Sequence, residues 1–337
     1  MMILRLLHNR YRCFIALMVV VFMFSFATSV RQVNAEDEST SETTESTGTT
    51  FTMLRVPSII TEIYLDGVNG DDTKDGSNTA NAVKTFERAK DIATANQAIS
   101  TIWVTGTVPV SGEITLSGTN AILKRDPAFA NYMLQTQADT VFRDITIDGN
   151  KDNVIMPGSI YSLVRVANAT ATIQDGTVLQ NNEVRHSNIG TGGALIIEAA
   201  TVNMTGGHIH DNQANWGGAI YLGGNANFNM SGGVIENNHA VSIGSQIAAG
   251  GGIASWSAYL NGTNTTTISG DAIVRHNRSD EMGGGISLGT NSASNGKDNL
   301  VMTGGMIDDN RSGTGGGGIF VQAGFTGCNA TATISGG

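Results

Sequence analysis

One phrase in this chain keeps returning: "MTGGHIHDN" at 204–212, "MSGGVIENN" at 230–238 and "MTGGMIDDN" at 302–310. Counted from the apolar residue that opens the phrase, it gives a marker at Ile173, Met204, Met230, Ile268, Met302 and Ile334, at intervals of 26 to 38 residues. A second marker closes "GGAL", "GGAI" or "GGGI" and falls at Leu195, Ile220, Ile253, Ile286 and Ile319. Two markers that recur together at varying spacing describe one structural unit with loops of variable length, which is a repeat array. Inside each unit the pattern has period two. Ala171, Val202, Phe228, Leu300 and Ala332 are apolar and alternate with Thr172, Asn203, Asn229, Val301 and Thr333. Ile197, Leu222, Leu288 and Val321 continue the alternation after the second marker. Short strands broken by Gly and Asn, three to a unit, predict an all-β fold: a right-handed parallel β-helix.

The polar repeats fit the corners of such a coil. Asn181, Asn212, Asn238 and Asn310 share one register, with Asn277 one residue late, and stacked asparagines can hydrogen-bond along a column. The pairs Gly206-Gly207, Gly232-Gly233 and Gly304-Gly305 read as corners, where a missing Cβ permits sharp turning. No Lys-Ser/Thr follows them, so they do not form a phosphate loop.

The organisation outside the repeats is plainer. Residues 1–35 carry Arg5, Arg10 and Arg12, then an apolar run, then Val33-Asn34-Ala35, the pattern of a secretion signal cleaved before Glu36. Residues 36–52 are Ser/Thr/Glu-rich and too polar to bury a core, a disordered linker. Residues 53–98 read as an N-terminal cap of strand, acidic turn and helix, in which Val83, Phe86, Ala89 and Ile92 recur every three residues. The β-helix is expected over 99–337, and "TATISGG" stops it in mid-repeat, as in a fragment of a longer protein. Membrane contact is expected only through the signal or an unseen C-terminal anchor. The net charge of −10 opposes nucleic-acid binding, and the two cysteines, Cys13 and Cys328, leave one in the mature chain and hence no internal disulfide.

At this level a resemblance can be stated. "YLDGVNGDDTKDGSNTANAVKTFERAKDIA" resembles the leader of secreted bacterial β-helices of the pectin-lyase-like superfamily. "MSGGVIENN" and "GGAI"/"GGGI" are similar to the repeats of bacterial surface adhesins and of polymorphic outer-membrane proteins, with Ile-x-x-Asn or Ile-x-Asn-Asn in place of the latter's Phe-x-x-Asn. The superfamily houses adhesins, polysaccharide lyases and glycoside hydrolases, so the resemblance implies a fold and leaves these activities open.

Candidate sites follow from residue chemistry. Asp66, Asp71 and Asp75, with Asn69 and Asp72, supply oxygens for a calcium ion, or else form a solvated turn of Asx hydrogen bonds. Asp144, Asp148 and Asp152 are the candidate acid/base carboxylates of a glycosidase, and Lys151 and Arg165 the cations of a lyase; corner and cap roles are the alternative. His208 and His210 share a strand face, as metal ligands or as plain surface histidines. Tyr221 and Phe320 fall in an outward column with Ile196, Ala254 and Ser287, and Trp216 and Trp256 lie in variable loops. Such aromatics suit stacking on sugar rings or partner side chains. Regular Thr/Asn pairs before the first marker resemble the faces of β-helical ice-binding proteins. The expectation is a monomeric, extracellular rod that binds glycans or surface proteins without a cofactor. The alternatives are a carbohydrate-active enzyme and a passive stalk.

Overall fold

The computed structural model describes residues 59–155, 160–184, 192–242, 244, 246–257, 262–290, 296–323 and 329–337. The signal, the linker and residues 53–58 lie outside the described residues. So do Cys328 and parts of the insertions 240–250 and 259–265.

From residue 59 onward the chain winds as a right-handed parallel β-helix whose coils pair only in parallel. Among the described residues three sheets run along the stack, of nine, fourteen and four strands. In the shortest unit one coil passes through His208–His210, Gln213–Ala214, Ile220–Gly223 and Asn227–Met230 before the next opens at Val234–Glu236. That is four strands rather than three. The extra one is two residues long and follows the asparagine corner, too short for any periodic signal.

The alternation does what period two demands. On the nine-stranded sheet Ile147, Leu179, Ile209, Ile235 and Val274 stack inward in register. On the fourteen-stranded sheet Val164, Leu195, Ile220, Ile253 and Ile286 form one inward column, and Ala171, Val202, Phe228, Thr266 and Leu300 another. These side chains are at most 2% exposed, and each large apolar one contributes about 1.5–3 kcal/mol. The fourteen-stranded sheet forks at Leu134–Phe142, which pairs with Val164–Ala167 at its start and Thr170–Ile173 at its end. Later coils break at this corner on Asn168, Ala199 and Asn225, all left-handed, with φ of 53°, 48° and 54°.

The glycines of the second marker have a separate cause. At Gly218 and Gly251 an added Cβ would press into the carbonyl oxygen of the glycine one coil on, Gly251 and Gly284 respectively. The backbones stack there in an unbroken ladder, Gly218 N–H to Gly250 O and Gly251 N–H to Gly283 O, both 2.9 Å.

The asparagine column forms with one correction. Its members are Asn182, Asn212, Asn238, Asn277 and Asn310; each backbone N–H from Asn182 to Asn277 donates to the Oδ1 of the next, at 2.9–3.1 Å. Asn181 is the left-handed corner residue just before it, as are Asp211, Asn237, His276 and Asp309 in later coils. The slip arises because Leu179 and Val274 lie six residues after Ile173 and Ile268, while Ile209 and Ile235 lie five after Met204 and Met230. A one-residue longer turn therefore moves Asn181 out of the column and brings Asn277 into it.

The helix Phe86–Ala95 starts at Thr85, whose side chain accepts from the Arg88 N–H. It buries Phe86, Ala89 and Ala93 into the same core as Ile63 and Leu65. Two charged groups also lie inside the coil. Arg125 donates to the carbonyls of Asn131 and Tyr161 at 2.5 and 2.9 Å, and burial pulls its pKa down to about 9. Asp298 accepts from Ser255 Oγ, Ser257 N and Oγ, and Asn264 Nδ2. Burial pushes its carboxyl above the ordinary range, against the pull of those donors.

Candidate functional site

The three candidate catalytic carboxylates fall at a corner, at a strand end and in the turn after it. Asp144 is a left-handed corner residue with φ 47°, and Arg143 stands 3.9 Å from its carboxylate. Asp148 ends the strand Ile145–Asp148 and is 7% exposed. Its Oδ1 accepts from Asn150 N at 2.7 Å and Asn181 Nδ2 at 3.0 Å, and its Oδ2 from Gln180 Nε2 at 2.7 Å. Asp148 is thus a corner tie between coils, and Asn181 is one of its donors. Asp152 is exposed in the turn that follows. Lys151 donates to the Asp211 carbonyl at 2.8 Å, and Arg165 pairs with Glu198 at 2.7 Å.

The acidic turn resolves into Asx hydrogen bonds. Asp66 Oδ1 accepts from Val68 N and Asn69 N, Asp71 Oδ1 from Thr73 N, and Asp75 Oδ1 from Ser77 N. These bonds hold Asp71 and Asp75 below the ordinary carboxylate pKa. Asp72 accepts from Lys84 N and Thr85 N and so pins the turn to the start of the helix. Among the described residues no three His, Cys, Asp or Glu side chains converge as metal ligands.

The aromatic residues do gather, but not as an open strip. Ile196, Tyr221, Ala254, Ser287 and Phe320 are in one outward register. Trp216 comes alongside through a ladder with Ala249 and Met282. Trp216 stacks on Trp256 with ring centroids 4.7 Å apart and planes at 19°, and lies 6.0 Å from Tyr221. Trp216 and Tyr221 are only 8% and 5% exposed, so they form a small second core outside the coil with Ile196, Ala249 and Ala254. The Trp216 indole N–H donates to the Ile247 carbonyl at 2.7 Å, so part of the cover is the 240–250 insertion. Trp256, Tyr132, Met282 and Phe320 stay partly open around it. These, with Arg165 5.8 Å over the Tyr132 ring, are what a ligand can reach on this face.

His208 and His210 belong to a polar cluster on the nine-stranded sheet whose other members, Glu236 and Arg275, the sequence does not single out. Glu236 is the hub: His208 Nε2 is 3.0 Å and Arg275 Nε 2.7 Å from its carboxylate, each from a neighbouring coil. Burial alone would raise the Glu236 pKa, but Arg275 and His208 outweigh it and hold the carboxyl below its usual value. Burial, with His210 beside it, lowers the pKa of His208 despite Glu236. Every described histidine has a carboxylate neighbour: His210 with Asp211 at 2.7 Å, His239 with Asp280 at 2.8 Å and His276 with Asp309 at 3.5 Å. Three of these contacts, His208–Glu236, His239–Asp280 and His276–Asp309, link successive coils, whereas His210 and Asp211 are neighbours in one coil.

The Thr/Asn columns are in strict register. Thr170, Thr201, Asn227, Thr265 and Asn299 form one, and Thr172, Asn203, Asn229, Thr267 and Val301 the other. They make a flat, uncharged hydroxyl and amide face. Compared with models of protein families, with curated proteins and with solved structures, the chain matches none.

Proposed function

We propose that this chain is a secreted or cell-surface binding module of the adhesion kind, a monomeric rod that holds glycans or surface partners on its outer faces. The observation that carries this reading is the aromatic cluster outside the coil. Trp216 and Tyr221 anchor it, while Trp256 and Tyr132 remain partly open. Apolar aromatic surface on a rigid scaffold suits sugar rings and partner side chains alike, and a pre-ordered site loses little entropy on binding. Asp148, the best-placed carboxylate for an acid/base role, has both oxygens committed to neighbouring coils, which favours holding over turnover.

The test is an array of immobilised glycans and cell-surface proteins probed with the purified chain and with Trp256→Ala. Retention on a subset of spots is expected, weakened about tenfold or more in the variant, as for loss of a partly exposed aromatic anchor. Retention nowhere, or equal retention by the variant, contradicts it.

A further inference from the structure

Along the corner between the two halves of the fourteen-stranded sheet runs an open groove of about 390 Å³. Asp139 lines it together with three pairs of a corner and a strand position, Asn168/Thr170, Ala199/Thr201 and Asn225/Asn227. We propose that this groove takes a neutral polysaccharide chain lying along the stack. The proposal deepens the reading of the chain as a binding module and rests on it.

The lining chemistry selects the ligand. Sugar hydroxyls both donate and accept, and so do the amides of Asn168 and Asn227 and the hydroxyls of Thr170 and Thr201. None of these four side chains has a hydrogen-bond partner among the described residues, although Asn168 and Asn227 are exposed and the two threonines half-buried. Asn225, one corner further, has its Oδ1 held by the Thr263 N–H at 3.1 Å, which leaves its Nδ2 to donate outward. No Lys or Arg lines the groove, and the one charged group is Asp139, whose Oδ1 is fixed by the Thr170 N–H at 3.0 Å. A carboxylate there accepts from hydroxyls and repels a uronate, and the net charge of −10 adds to the repulsion.

Shape points the same way. Ala199 holds a left-handed φ of 48° at a corner where the coils on either side use asparagine, residues 168 and 225. Its small side chain leaves open the space an amide would fill. Successive coils repeat at ~4.8 Å, comparable to the length of one pyranose unit, so a glycan running along the stack meets an equivalent pair of groups in each coil. Beyond the groove the Thr/Asn columns continue the same surface through Thr265 and Asn299.

The experiment is isothermal titration calorimetry of the whole chain with neutral β-linked oligosaccharides, from disaccharide to hexasaccharide, and with oligogalacturonates of the same lengths. Affinity is expected to climb with the length of the neutral chains until the coils of the groove are spanned, with no heat from the oligogalacturonates. Thr201→Val keeps the side-chain shape and Asn227→Ala lies on the surface, so both should fold, as circular dichroism will verify. Each should weaken binding about fivefold, the loss of one hydrogen bond. Neutral binding unchanged in both groove variants overturns the proposal. If Trp256→Ala abolishes that binding instead, the wider reading survives and the groove does not. Equal affinity for oligogalacturonates, or no heat from any neutral chain, also overturns it; in the second case protein spots on the array still decide the wider reading.

Discussion

Replacing Asn238 by alanine removes the middle rung of the asparagine ladder. The side-chain amide donates to the carbonyls of Ile209 and Glu236 at 2.9 and 2.8 Å and to Asn277 Oδ1 at 3.0 Å. Its own Oδ1 accepts from Asn212 N at 3.0 Å and Asn212 Nδ2 at 3.1 Å. Asn238 is 1% exposed, so water cannot substitute for these bonds, and the Asn212 N–H is left unpaired. A net hydrogen bond is worth about 1 kcal/mol and an orphaned buried group costs about 1–3 kcal/mol, so the change should cost about 3–5 kcal/mol. Asn310 is partly exposed and engaged with Asn277 and Val274 alone, so Asn310→Ala should cost about 1–2 kcal/mol. The surface change Asn227→Ala should cost less than about 0.5 kcal/mol. Urea unfolding followed by circular dichroism gives the three values. Stacked repeats can open locally, so hydrogen exchange should accompany it, and the Asn212 amide should lose the most protection in Asn238→Ala. Equal costs for Asn238→Ala and Asn227→Ala, or an Asn212 amide as protected as before, refute the ladder.

Three further outcomes can be measured in the same way. Thr266 is fully buried between Phe228 and Leu300 with no partner for its hydroxyl, so Thr266→Val should stabilise the chain by about 1–2 kcal/mol; a destabilised variant shows that the site is wet. Gly251→Ala drives a Cβ into backbone oxygens of Gly284 and Arg278 and should cost more than about 4 kcal/mol or prevent folding, whereas Gly112→Ala meets open space at φ +71° and should cost about 1–2 kcal/mol. Comparable unfolding midpoints for the two glycine variants would falsify the close stacking. Asp298 has a raised pKa in the folded chain, so its contribution is most favourable below the ordinary carboxylate value and declines as pH rises through the raised one. Measured from acid to neutral pH, the wild type should therefore lose stability relative to Asp298→Asn, and a difference that ignores pH contradicts the burial of that carboxylate.

The coil was legible because its cause is periodic. Ile209, Ile235 and Ile307 face inward for the same reason in every unit, and a pattern repeated that often survives loops of any length. A register counted from the strand before the corner misplaces Asn181, because the turn itself varies by one residue. Counting three residues forward from Leu179 and Val274, the inward residues of the strand after the turn, puts Asn182 and Asn277 in line with Asn212 and Asn238. The aromatics are legible only in part. Their column was readable, but the burial of Trp216 and Tyr221 depends in part on an insertion with no period of its own. Arg125 and Asp298 occur once each, so no repetition announces that they point inward; only the carbonyls, hydroxyls and amides waiting for them make those positions tolerable. The groove, likewise, needs Asn168, Ala199 and Asn225 to stack, and their spacing in sequence is irregular.

The reading of this chain as one that holds glycans without transforming them is tested most directly by a single incubation. Purified chain is mixed with neutral and acidic polysaccharides, and both the bound fraction and new reducing or unsaturated ends are followed. Binding to neutral chains with no new ends over prolonged incubation is the predicted result. Product formation that disappears in Asp148→Asn would contradict it and make Asp148 a catalytic group rather than a tie between coils.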